Sequence, residues 1–417
     1  MASPIVTLTP AQIGRTFANR SAYDLSNFSH CLFRLETNDL AVPIQGGISP
    51  IFVLLTLVTN SMVCAVLVKK HMRSCTNAIL VAMAVSDTLT GILPVPCFIY
   101  FYTTDRYLDY VPYDWCFAYF CLTDYVPTIF HTASIWLTVA LAAQRYVHVC
   151  HPVRAKRLCT MSNVVKLVVG IYVVALVSQL CRFTEYQYYP VDVPSLVDPE
   201  RVQTTCCYDL TPIVHEYQHL YFNMYYWFRV VFIHIFPCLL LVILNAGLVQ
   251  TMRSAQQKRE TLLQSNSRCY EYSAGCESSV ATGVGGSYPA GRGSHEGAST
   301  TLMLVTVVGV FLLVEFPLML FLIMMITENT FGVEILETET RVSASLILNL
   351  FILISYPVNF FIYCGMSRQF RNTFRALFVP RFQPDLETEV NNARQELYIC
   401  MPQGKRSRTT SVRDAQL

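Results

Sequence analysis

Apolar residues in this chain gather into seven blocks, separated by polar stretches, rather than recurring as single faces of soluble helices. The blocks lie near Ile48 to Val68, Ala78 to Tyr102, Phe117 to Val147, Val164 to Cys181, Leu220 to Val249, Thr301 to Ile326 and Val342 to Cys364. Each approaches or exceeds the roughly 20 residues that a helix needs to cross a bilayer. In hydrocarbon only helices or closed barrels satisfy their own backbone, and these blocks lack barrel-like alternation. The pattern predicts an all-α membrane protein, a seven-transmembrane helix bundle. Beyond the seventh block, residues 367–378 place Phe370, Phe374, Leu377 and Phe378 on one helical face, with Arg368, Arg371 and Arg375 among the other positions. A short amphipathic eighth helix lying on anionic lipid is the expected result.

Composition supports the membrane reading. Hydrophobic residues make up 53% and charged residues 14% of 417, and the mean hydropathy is +0.39, too apolar for a water-soluble globule of this size. Lys and Arg collect after the first span (Lys69, Lys70, Arg73), the third (Arg154, Lys156, Arg157), the fifth (Arg253, Lys258, Arg259) and the seventh. Cytoplasmic loops carry that excess, so the amino terminus is expected outside the cell membrane. Glycosylation sequons at Asn19 and Asn27 lie on the same expected side. No apolar stretch precedes Ile48, and the first span is expected to act as the insertion signal.

The domain plan follows: an extracellular tail over 1–47, a seven-helix domain over 48–366, the amphipathic helix, and a cytoplasmic tail over 379–417. Within the domain, 253–299 turns polar and holds seven of the 17 glycines, which predicts a flexible cytoplasmic loop. Ser407, Thr409, Thr410 and Ser411 beside basic residues are candidate phosphorylation sites in the tail.

Sixteen cysteines are scattered without zinc-ligand spacing, and those inside spans read as small core residues. On the outer side, Cys116 precedes the third span and is expected to pair with Cys206 or Cys207, with Cys121 as a rival and Cys31 as a candidate for a second bridge. No firm metal site and no cofactor are expected.

Charge inside an apolar helix is costly and marks candidate functional positions. Asp87 and Glu315 are such carboxylates. Asn60, Ser134 and Asn359 sit at depths compatible with Asp87, giving a candidate polar or sodium centre. Pro237 and Pro317 interrupt the fifth and sixth spans and supply bending points. Thirteen acids of the outer loops face Arg106, Arg201 and Arg341 only, and tyrosines crowd the loop before the fifth span. Such a mouth attracts cationic and aromatic ligands. By span depth, Asp124, His131, Tyr225, Arg229, Glu315 and Asn349 are candidates for a deeper pocket. The chain carries no glycine-rich phosphate loop, Gly-x-Ser-x-Gly elbow or His-Glu-x-x-His, so no enzyme and no nucleic-acid partner are expected.

Asn60, Asp87, Arg145, Pro237, Pro317 and Tyr363, at their positions in successive spans, make the chain resemble the rhodopsin-like G-protein-coupled receptors from about Ile48 to Phe378. The runs Pro127 to Leu141, Ser355 to Asn359 and Tyr363 to Arg371 are similar to the invertebrate sex peptide and myoinhibitory peptide receptor family. Three landmarks depart from the usual pattern: Gln144 replaces the acid before Arg145, Glu315 stands where a tryptophan is common, and Phe360 follows Asn359 in place of proline. The resemblance implies an amidated, tryptophan-bearing neuropeptide ligand and an inhibitory (Gi/o) heterotrimeric G protein, with arrestin and receptor kinases as further partners. It also implies coupling through Arg145, Tyr146, Asn359 and Tyr363. Pro127 occupies the amine receptors' aspartate position, and the seventh span lacks the opsins' lysine, so amine and retinal ligands are disfavoured. An FMRFamide-like peptide receptor and a membrane transporter are the alternatives.

Overall fold

The computed structural model describes residues 31–35, 38–274 and 292–379. Among them, seven helices are long and apolar enough to cross a membrane: α1 Ala41–Leu67, α2 Cys75–Thr103, α3 Tyr113–Cys150, α4 Met161–Thr184, α5 Gln218–Lys258, α6 Val305–Glu328 and α7 Thr338–Met366. Local chemistry sets several ends. Ser74 and Thr160 cap α2 and α4 by accepting from the amides of Asn77 (3.1 Å) and Asn163 (3.4 Å), relieving otherwise orphaned donors. At the end of the helix containing α6, Gly332 adopts φ 64° and its amide returns to the Glu328 carbonyl (2.9 Å), the left-handed stop that glycine favours. Helix α3 packs against α2, α4, α5 and α6 and is the axis of the bundle.

Four spans contain π-helical turns toward the same end of the bundle. Two of them, Cys121–Tyr125 in α3 and Arg229–Ile235 in α5, carry candidate pocket residues. A π-turn widens the helix and often marks a functional site. The α5 turn ends directly before Phe236-Pro237, where proline could not have donated to a regular ladder.

That end is covered by a β-hairpin absent from the sequence reading: β1 Tyr186–Pro194 pairs antiparallel with β2 Val202–Leu210. Residues 31–35 and 110–112 run against β2, with Phe33 N donating to the Cys206 carbonyl (2.8 Å) and Val111 N to the Phe33 carbonyl (2.9 Å). Two disulfides staple the arrangement, Cys116–Cys206 and Cys31–Cys207. The alternatives for Cys116 are therefore corrected. Cys207 belongs to the second bridge and Cys121 is a free thiol, because consecutive residues of β2 point to opposite faces and only Cys206 faces α3. At the hairpin turn, Asp109 accepts from Ser195 Oγ (2.5 Å) and the Leu196 amide (2.9 Å). Partial burial opposes its ionisation, but these hydrogen bonds outweigh it and hold the carboxyl below its ordinary range.

The expected loop over 253–299 is shorter than the sequence reading put it: helix continues from Phe236 to Ala274 and begins again at Arg292. Ala255, Gln256, Gln257, Lys258, Arg259, Glu260, Leu262 and Leu263 are strong helix formers, and glycines enter only from Gly275. Residues from Arg368 form a separate compact unit. In it, α8 Arg368–Phe378 stacks Phe370 on Phe374 and Phe374 on Phe378 (centroids 6.4 and 4.9 Å) along one face. The sequons at Asn19 and Asn27 and the hydroxyl cluster of the tail lie outside the described residues.

Candidate ligand mouth and transmission core

Near the bundle centre, Ser134 Oγ on α3 donates to Asp87 Oδ1 on α2 (2.6 Å), and Asn359 on α7 is a second side-chain hydrogen-bond partner of that carboxylate. Asn60 stands aside. Its amide donates to the Ala84 carbonyl (3.3 Å) and Thr88 Oγ1 (3.2 Å), tying α1 to α2 rather than solvating Asp87. Asp87, Ser134 and Asn359 line one cavity with His131, Glu315 and Tyr356. Its volume of about 40 Å³ admits water or a small ion.

Glu315, 2% exposed, faces two other helices directly. His234 Nδ1 on α5 lies 3.1 Å from Glu315 Oε2, and His131 Nε2 on α3 lies 3.4 Å from Oε1. His131 Nδ1 is 3.4 Å from the Tyr356 hydroxyl on α7. The sequence reading named His131 and Glu315 but missed His234. Among Val231, Phe232, Ile233 and Ile235 it resembled a packed core histidine; the available signal was its place three residues before Pro237, on the π-turn.

Nearer the hairpin, a residue that sequence reasoning overlooked organises the mouth. Arg182, at the end of α4, pairs with Asp124 and with the fully buried Glu185 (2.5 Å). Its guanidinium lies 5.2 Å from the Tyr125 ring and 5.1 Å from the Tyr225 ring, within cation–π range. Tyr225 also donates its hydroxyl to buried Gln179 (3.2 Å). Burial pushes the Glu185 carboxyl up, and Arg182 only partly draws it back. Asp124 is thus engaged within the chain. So are Asp109 and Glu328, the latter accepting from the amides of Ile335 (2.8 Å) and Leu336 (2.7 Å). Asp105, Asp114, Asp192, Asp198, Glu200, Glu216, Glu334, Glu337 and Glu339 remain exposed. Arg229, one turn beyond Tyr225, has a buried Nε without a hydrogen-bond partner. Asn349 is exposed, about one turn from Ile352 on the α7 face that lines the cavity.

At the opposite end of α3, Arg145 has no ion pair among the described residues, and its Nε is buried without a hydrogen-bond partner. Neighbouring Gln144 is 7% exposed, and both its amide atoms are likewise unpartnered. Tyr363 is buried on α7. Tyr146 packs on Gly247 of α5, where an added Cβ would stand 2.9 Å from Tyr146 Cε2. Gly247→Ala is expected to destabilise the receptor by about 1–3 kcal/mol through overpacking. Thermal unfolding of purified protein checks this, and Tyr146→Leu in the same chain should restore the midpoint.

This geometry has relatives. Residues 59–363 match the family described as 7 transmembrane receptor (rhodopsin family). The Sex peptide receptor of Drosophila melanogaster is 37% identical over 366 residues, 85% of this chain and 78% of that protein. The Sex peptide receptor-related protein 2 of Caenorhabditis elegans is 32% identical over 351 residues, 83% and 73% of the two chains. The FMRFamide receptor of Drosophila melanogaster is 28% identical over 370 residues, covering 86% and 59%. The seven membrane-crossing helices, the disulfide from α3 to the hairpin and a match spanning most of the bundle have one consequence: the chain belongs to the rhodopsin family of G-protein-coupled receptors and is a multi-pass protein of the plasma membrane.

Proposed function

We propose that this receptor takes an extracellular amidated neuropeptide of the sex-peptide and myoinhibitory kind at its disulfide-stapled mouth and activates inhibitory Gi/o proteins. The observation that carries the reading is the 37% identity to the Drosophila Sex peptide receptor across 85% of the chain. The mouth fits such a ligand chemically. Exposed acids surround it, and the half-buried rings of Phe120, Tyr186 and Tyr188 supply aromatic surface for tryptophan side chains. Tyr225, Arg229, His131, Glu315 and Asn349 are the candidate contacts of the peptide's deeper end. Asp124 contributes through Arg182, since that cation already occupies it.

Asp87, Ser134 and Asn359 form the polar core in this reading, with a sodium ion as candidate occupant and Asn60 as its support. Ligand binding favours a state in which the inner ends of α5 and α6 part, because a ligand shifts an equilibrium only through differential affinity. Arg145, with Tyr146 and Tyr363, then meets the G protein, and arrestin and receptor kinases act on the cytoplasmic side. The 28% identity to the FMRFamide receptor keeps one second reading, an FMRFamide-like ligand. A panel of both peptide classes applied to cells expressing the chain, with G-protein activation as readout, separates them. A response to tryptophan-bearing amidated peptides at nanomolar concentration is expected. A response confined to FMRFamide-like peptides would replace the first reading, and silence with confirmed surface expression would overturn both.

A further inference from the structure

We propose that Glu315, His131 and His234 form a proton-dependent lock joining α3, α5 and α6, which tightens and disfavours signalling as the pH falls. One carboxylate stands between two imidazoles from different helices, each aimed at a separate oxygen. Histidine is the side chain whose charge changes near neutral pH. The contacts are unequal. His234 Nδ1 is within hydrogen-bond distance of Oε2 (3.1 Å), and against an ionised carboxylate, which only accepts, the proton of that contact sits on the ring nitrogen. His131 Nε2 is at ion-pair distance (3.4 Å) but makes no hydrogen bond, so this contact has slack. Protonating the ring adds a full charge where the gap can close, and buried charge-assisted contacts are the strong ones.

The surroundings make the trio sensitive to one proton. Arg229 on α5 is the fixed cation coupled to Glu315, and Cys238 on the same helix also feels that carboxylate. Tyr356 faces His131 from α7, and Asp87 lines the shared cavity from α2. While His131 is neutral with its proton on Nε2, its Nδ1 accepts from the Tyr356 hydroxyl. Once charged, Nδ1 donates instead and the hydroxyl must turn. The proton therefore reaches α7 as well as α3, α5 and α6.

The inference rests on the receptor reading, and its first test needs neither ligand nor G protein. Deuterium uptake in 307–326 of the full chain in lipid nanodiscs is measured from about pH 8 to about pH 5, a window that extends below the free imidazole range, and corrected for intrinsic exchange. Wild type should show uptake slowed roughly threefold at the acid end, the scale of one histidine partly titrating between two states. Glu315→Gln, which keeps the shape and loses the charge, should flatten the dependence. His234→Gln should weaken it, and Asp87→Asn should leave it in place. Ligand-free nucleotide exchange on G protein should fall with uptake in wild type and stay level with pH in Glu315→Gln. A flat wild-type profile, or an unchanged slope in Glu315→Gln, overturns the lock. Slowed uptake with unaltered exchange overturns its effect on signalling.

Discussion

Arg182→Ala is expected to destabilise the mouth by about 3 kcal/mol, the scale of removing one partner from a buried ion pair. Arg182 is the cation shared by Asp124 and Glu185, and Glu185 is fully buried. Without the guanidinium, Glu185 must take up a proton or stay charged without a partner, since burial already pushes its carboxyl up. Tyr125 and Tyr225 lose the cation between their rings, so the damage reaches the face where the ligand is proposed to sit. The expected readings are a lowered thermal midpoint and weakened ligand potency. Arg182→Met combined with Glu185→Gln should recover much of the stability, because the buried charge leaves with its partner, but not the potency. Equal midpoints for Arg182→Ala and wild type would remove Arg182 from its organising position.

The second large effect lies at the inner end. Arg145 is half-buried, its Nε is without a hydrogen-bond partner, and it has no restraining ion pair among the described residues. If it supplies a charge-assisted hydrogen bond of about 2 kcal/mol to the bound G protein, Arg145→Ala lowers ligand-stimulated exchange roughly 30-fold at unchanged surface expression. Gln144 offers the arginine no charge, and its own amide atoms are unpartnered. Gln144→Asp should therefore install the missing restraint and lower ligand-free exchange. Basal exchange in wild type no higher than in Gln144→Asp would contradict that account, whatever Arg145→Ala does.

Much of the fold was legible because a bilayer imposes a simple length rule. Seven long apolar blocks could bury themselves in no other common way, and they emerge as α1 to α7 with ends displaced by one to nine residues. Asp87 and Glu315 stood out for the same reason, as charges in segments that otherwise avoid them. Their partners were harder to read. Ser134 shares depth with Asp87 and bonds to it, whereas Asn60 has the same depth but a different azimuth and turns to Ala84 and Thr88. His234 and Arg182 were hidden because each is a single polar residue in an aromatic or aliphatic context, significant only through neighbours brought by other helices. The hairpin escaped because Tyr186–Pro194 and Val202–Leu210 lack clean alternation. It is also bridged to residues 31–35 and 110–112, far away in sequence.

The most direct test of the central claim is nucleotide exchange on a purified inhibitory G protein by the full chain in lipid nanodiscs, before and after adding the amidated tryptophan-bearing peptides. The account predicts saturable acceleration at nanomolar peptide, lost in Arg145→Ala. Folded receptor that leaves the exchange rate unchanged with every peptide, or an Arg145→Ala variant as active as wild type, would contradict it.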